Sequence, residues 1–194
     1  MRAFLATFLS VANRDLADAF GAWAKDATGG AVRTVPRRSA HVTHVFLGDI
    51  DDALAAEVAG DLTRLMASET PLDFELGAPE ILRARREPRL VLAPVTAGQA
   101  AVTALTRRIA DMLAQRPDLA RVAPSRHAHV TVARFRRGAG PADAAHLIDL
   151  LATSRGRILW HEDRMASVEL VRSELTPAGP VYDIVARAPA GRVA

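Results

Sequence analysis

Two tripeptides in this chain match in residue type and spacing, His41-Val42-Thr43 and His129-Val130-Thr131. Each lies in a short apolar run, HVTHVFLG and HAHVTVARF. Along a β-strand residues i and i+2 share a face, so each run presents an imidazole and a hydroxyl side by side. Two such pairs facing each other place two groups that titrate near neutral pH, and two neutral hydrogen-bond donors, around one small space. A neutral imidazole takes a proton from water while a charged one gives a proton to a leaving oxygen, each transfer being worth about 10²–10⁴-fold. The hydroxyls would donate to non-bridging oxygens as charge builds there. That set of groups suits a phosphodiester, and a strained cyclic one above all, opened by in-line attack of water. Random placement of six histidines and twelve threonines in 194 residues yields about 0.4 His-x-Thr triplets. Two of them, both in strand-like contexts, are therefore a signal.

Other chemistries find less support. The chain has no cysteine, which rules out disulfides, a thiol nucleophile and a Cys-based zinc site. It has no P-loop pattern and no G-x-S-x-G. A metal-ligand reading would pair His41 with His44, or His127 with His129, adding Glu162 or Asp49. On a strand, however, His41 and His44 point to opposite faces. Taken singly, His44, His127, His146 and His161 read as structural residues.

Composition is that of a soluble globular chain, 49% hydrophobic and 24% charged. At 194 residues it forms one domain of generous size or two small lobes sharing a core. The net charge is only +3, too small for a purely electrostatic nucleic-acid binder. Lys25 is the sole lysine, and arginine supplies the remaining basic charge. Arginines gather at Arg83, Arg85, Arg86 and Arg89, at Arg107 and Arg108, and at Arg134, Arg136 and Arg137. Their planar forks suit phosphate oxygens. The opening MRAFLATFLSVA has some signal-peptide character but reads better as a buried first strand. No run is long enough to span a membrane.

The motifs need strands, and the pattern supplies them. Strands are expected over 1–10, 31–35, 40–47, 71–82, 88–94, 130–135, 158–160, 166–172 and 180–188. Helices are expected from an N-cap at Asn13 to about Ala27, over about 51–68, 96–115 and 142–153. Strand–helix–strand–strand–helix runs roughly twice, with one His-x-Thr strand in each half. Short links between neighbouring strands favour antiparallel or mixed sheets, hence an α+β class. The expected architecture is bilobed: residues 1–194 form a single domain of two similar lobes with flanking helices and a central groove that holds both motifs.

The residues also resemble a known family. His41 through Gly48 is similar to the H-x-T-x-x-F-L-G signature of the two-histidine phosphoesterases, and His127 through Arg134 to H-P-H-x-T-L-A-R. Ser173-Glu174-Leu175 and Gly179-Pro180-Val181-Tyr182 resemble that family's closing strand pair. The branch it resembles is that of the RNA 2′,3′-cyclic phosphodiesterases, also called 2′-5′ RNA ligases. The resemblance implies hydrolysis of a 2′,3′-cyclic phosphate to a 2′-phosphate, with ligation as a side activity. It implies that His41 protonates the 3′ leaving oxygen, that His129 activates water, and that Thr43, Thr131 and Arg134 hold the phosphate. It calls for no metal and no cofactor, and for RNA ends or cyclic nucleotides as partners of a cytoplasmic monomer with no obligate protein partner and no membrane. Leu92, Arg126, Ala128 and His44 depart from the family pattern. Leu92 stands where an aromatic is usual, so a stacking platform for a base is expected to be missing. The competing expectations are a related enzyme acting on a small cyclic nucleotide or an ADP-ribose cyclic phosphate, and an RNA-binding module without turnover.

Overall fold

A computed structural model describes residues 1–85, 87–119, 122, 124–153, 158–176 and 179–191. Ten strands and four helices alternate: β1 (Arg2–Phe8), α1 (Val11–Ala27), β2 (Val32–Thr34), β3 (His41–Asp49), α2 (Asp52–Met66), β4 (Leu72–Phe74), β5 (Glu80–Ala84), β6 (Glu87–Pro94), α3 (Gln99–Ala114), β7 (His129–Phe135), α4 (Pro141–Leu151), β8 (Asp163–Met165), β9 (Ser167–Thr176) and β10 (Gly179–Pro189). The class is α+β, and every strand pairing described is antiparallel.

Eight strands form one sheet in the order β10-β9-β1-β3-β7-β6-β5, with β2 also pairing to β7. The two motif strands are thus central neighbours. Their described contact in the sheet is a single pair, Val42 opposite Val130. Beyond it β2 takes over the free edge of β7, pairing Val32 to Phe135 and Thr34 to Ala133. A small second sheet joins β4 to β8.

Helices cover one face only. Phe20, Ala24, Leu147, Val42, Val91, Val130 and Val132 make one buried cluster, where α1 and α4 meet β3, β6 and β7. Leu62, Met66, Leu105, Ile109, Leu5, Val45 and Leu170 make another, where α2 and α3 meet β1, β3 and β9. The opposite face carries only a small cluster of Phe4, Ala6 and Val171 with Phe8 and Tyr182 against it. That uncovered face is the groove. None of the described helices is long and apolar enough to cross a membrane.

Several sequence expectations shift. Ser10, not Asn13, caps α1: its Oγ accepts from Asn13 N at 3.3 Å. The Asn13 side chain is buried instead, donating to His161 O and Asp163 Oδ2 at 2.9 Å each. The stretch expected as one strand over 71–82 splits into β4 and β5 in different sheets. Ile158–Trp160 is not a strand; Trp160 Nε1 donates to Gly77 O at 2.9 Å, and the strand β8 comes next, at Asp163–Met165.

Candidate active site

Alternation along β3 and β7 sorts the motifs. Val42 and Val130 are both 0% exposed and point into the core. His41, Thr43, His129 and Thr131 are half-buried on the other face. In an antiparallel pair centred on Val42 and Val130, His41 stands across from Thr131 and Thr43 across from His129. The four side chains therefore surround one point in a two-fold arrangement.

Both imidazoles are held in the same way. His41 Nδ1 lies 2.6 Å from Ser39 O, and His129 Nδ1 lies 2.9 Å from His127 O. A carbonyl only accepts, so Nδ1 carries the hydrogen in both rings, and the neutral form leaves Nε2 bare. In each case the anchor is the carbonyl two residues earlier. Nε2 of His41 also sits 3.0 Å from Thr43 Oγ1, whose hydroxyl donates to it.

Their surroundings differ. His41 is boxed by aromatic rings: Phe4 at 5.0 Å and 30°, Phe8 at 5.4 Å, and Tyr182 edge-on at 5.4 Å. Burial is the main cause that drives its pKa down to about 4, and the charges of Arg134 and His129 push the same way against the pull of the Ser39 carbonyl. His129 has no ring neighbour among the described residues.

A β-bulge sits at the same place in both motif strands. Leu5 pairs with Val45 but Ala6 with Thr43, leaving His44 extra. Val91 pairs with Ala133 but Leu92 with Thr131, leaving Val132 extra. Each extra residue reverses the in–out parity of the residues that follow, in β3 as far as a second bulge at Leu47. Phe46 and Arg134 therefore return to the groove face at matching positions. Phe46 is 61% exposed and touches Phe4, which also stacks on His41. Arg134 lies close enough to His41 to repel its charged form. The groove thus has aromatic surface at Phe46 although Leu92, expected to leave it without one, is itself buried. Straight alternation would send Phe46 into the core, so no signal in the sequence pattern marked it.

The bulge residue His44 is fully buried, on the far side of the strand from His41. Thr7 Oγ1 donates to Ser167 O at 2.8 Å, so it must accept from His44 Nε2–H at 3.1 Å. His44 Nδ1 then accepts from Thr106 Oγ1 at 2.7 Å. Burial holds the pKa of His44 down to about 4. His44 thus ties β3 to β1 and α3 as a neutral core group. His146 is likewise structural, its Nε2 donating to Ala27 O at 3.1 Å. No three His, Asp or Glu residues gather as a metal-ligand set among the described residues.

Residues 14–169 match the family model of the 2′-5′ RNA ligase superfamily. This chain belongs to that family, a class of two-histidine phosphoesterases. It is 27% identical over 151 residues to the RNA 2′,3′-cyclic phosphodiesterase of Aquifex aeolicus (strain VF5), covering 78% of each chain. It is 28% identical over 172 residues to the RNA 2′,3′-cyclic phosphodiesterase of Aeropyrum pernix, covering 86% of this chain and 92% of that one. Its fold is like that of TT0787 of Thermus thermophilus, with a TM-score of 0.73 at 22% identity over 98% of both chains. It is also like E. coli LigT complexed with 3′-AMP, with a TM-score of 0.69 at 16% identity over 98% of both chains.

Proposed function

We propose that this chain hydrolyses RNA 2′,3′-cyclic phosphate ends to 2′-phosphates without a metal, by acid–base work of its two histidines. The observation that carries this reading is the two-fold square of His41, Thr131, Thr43 and His129 around Val42 and Val130. It offers one proton acceptor and one proton donor on opposite sides of a bound phosphorus. His129 Nε2 takes a proton from water as the water oxygen bonds to phosphorus. His41 Nε2–H gives its proton to the 3′ oxygen as the P–O3′ bond breaks. Thr43, Thr131 and Arg134 stabilise the non-bridging oxygens. RNA ends are the proposed partners, and the proposed setting is a cytoplasmic monomer, a single domain of two related lobes, with no cofactor in the cycle.

The donor role demands a charged His41, and its apolar cage works against that charge. A phosphodiester anion beside the ring opposes the repulsion from Arg134 and His129, so substrate binding is what charges the donor. Ligation is the same step with a 5′-hydroxyl in place of water: its oxygen bonds to phosphorus, its proton goes to His129, and the P–O3′ bond breaks as His41 protonates O3′, leaving a 2′-5′ link. Phe46 offers a flat face on which the terminal base can stack.

The test is turnover of cyclic-phosphate-ended RNA and 2′,3′-cyclic nucleotides in excess EDTA, by wild type, His41→Ala and His129→Ala. Activity that withstands EDTA and drops about 10³-fold or more in each variant supports the reading. Loss on EDTA, or near-normal activity in either variant, overturns it.

A further inference from the structure

The two ends of the groove differ in charge. Past Thr43 lies Phe46, in a row with Phe4, Val171 and Ile184. The matching step past Thr131 holds Arg134, and Arg33 of β2 stands directly opposite it. Like charges on directly paired residues destabilise a sheet. Neither guanidinium meets a carboxylate among the described residues. An anion between the two would relieve the repulsion.

The same row runs outward through Leu90 and Leu82. Leu82 is 46% exposed. The row ends beside the β5–β6 turn, where Arg83 and Arg85 are exposed. Ala84 pairs with Glu87 across this turn. Arg85 holds φ at 50°, a conformation that Gly, Asn or Asp adopts at lower cost. A positive φ is usual in a tight hairpin turn, and here it sets an exposed cation at the end of the row. Opposed arginines, an exposed apolar strip and an exposed turn arginine thus fall on one line leading away from the histidines.

We propose that this line seats the RNA upstream of the cyclic phosphate. Arg33, beside Arg134, holds the phosphate one nucleotide upstream, and Arg85 holds a phosphate further along. Bases lie against Leu82 and Leu90. The spacing fits: Arg134 sits two residues of β6 beyond the Thr131 level, about 7 Å, and Leu82 lies two strand spacings further across, about 10 Å. The assignment rests on the proposed phosphodiesterase reading and narrows its substrate from a mononucleotide to an oligonucleotide.

The experiment compares kcat/KM on 2′,3′-cyclic AMP with that on a tetranucleotide ending in a 2′,3′-cyclic phosphate. Fluorescence anisotropy measures binding of a labelled tetranucleotide ending in a 2′-phosphate. The proteins are wild type, Arg33→Glu, the double variant Arg33→Glu/Arg85→Glu, and Arg107→Glu on the helix-covered side as a control. Wild type is expected to prefer the tetranucleotide at least tenfold at low salt. Arg33→Glu and the double variant should each cut that preference at least tenfold and weaken binding, while Arg107→Glu leaves both as in wild type. The salt slope of tetranucleotide binding should shrink by about 0.7 for each phosphate that is no longer held. Unchanged preference and unchanged binding in the double variant would overturn the proposal. If wild type turns over neither substrate, the phosphodiesterase reading fails by itself. In that case loss of tetranucleotide binding in the double variant still supports the arginine line, and retained binding overturns it.

Discussion

His41 and His129 share a backbone anchor in different surroundings. Each hangs from the carbonyl two residues earlier, and each precedes a threonine on its own face and a bulge three residues on. Yet His41 is caged by three aromatic rings and His129 by none of those described. A duplicated backbone device fixes where the imidazoles sit, and side chains from distant strands decide how readily His41 takes a proton. The cage lowers the proton affinity of the proposed donor, so that role depends on an anion bound beside the ring.

The sharpest way to break the comparison is to remove each ring. His41→Ala and His129→Ala should each lower kcat by about 10³-fold, and the double variant by little more, because the two act in one step. Steady-state kinetics on a cyclic-phosphate substrate reads this directly. Near-additive losses would mean the two rings act in separate steps. Next come the hydroxyls. Thr43→Val and Thr131→Val should each cost about 10²-fold in kcat with little change in KM. Unequal losses would show that charge builds on one side of the two-fold point.

A smaller effect falls on Phe46, which sits where the other strand has Arg134. Phe46→Ala should raise KM about 5- to 100-fold and spare kcat, as expected when a stacked base loses its platform. A change in kcat alone would remove the base from that face. Opening the cage should act on His41. In Phe8→Ala or Tyr182→Ala its pKa should rise from about 4 toward the ordinary 6.5. An NMR titration of its ring nitrogens reads the shift, and an unmoved value would exclude the cage as its cause.

The last effect is on stability. In the unfolded chain His44 binds its proton near 6.5, whereas the folded protein holds it neutral down to about 4. Between those values the unfolded state carries more protons, so stability falls as pH drops from 6.5 toward 4, by at most about 1.4 kcal/mol per unit for this group. Urea unfolding of wild type against His44→Gln should show a shallower acid slope in the variant. An identical slope would place the acid sensitivity elsewhere, with His41 the next group to examine.

The paired motifs were legible because a strand repeats every two residues and the tripeptide occurs twice. The α+β class was legible in the alternation of helical and strand patterns. The second half of each motif strand was not, since period two fails at a bulge. By parity Phe46 shares a face with Val42 and His44, and Arg134 with Val130 and Val132. One extra residue in each strand turns both back toward the groove. Arg134 entered the sequence reading through its arginine group and the family resemblance, and Phe46 only as part of the family signature, with no role assigned. The cage around His41 needs Tyr182 from the far end of the chain, a contact no local pattern reports. Asn13 illustrates the same limit: a good capping residue by type, it is drawn inward by Asp163, 150 positions away.

The narrow junction between β3 and β7 has a mechanical consequence. Val42 and Val130 form the one described pair between these strands, and β2 claims the edge of β7 beyond it. This pair works as the pin of a hinge with an imidazole on each leaf. A methyl group added to or taken from either valine would alter the opening between His41 and His129 without touching the substrate. Core packing under the pin and the proposed proton transfer above it are therefore adjusted by the same two side chains.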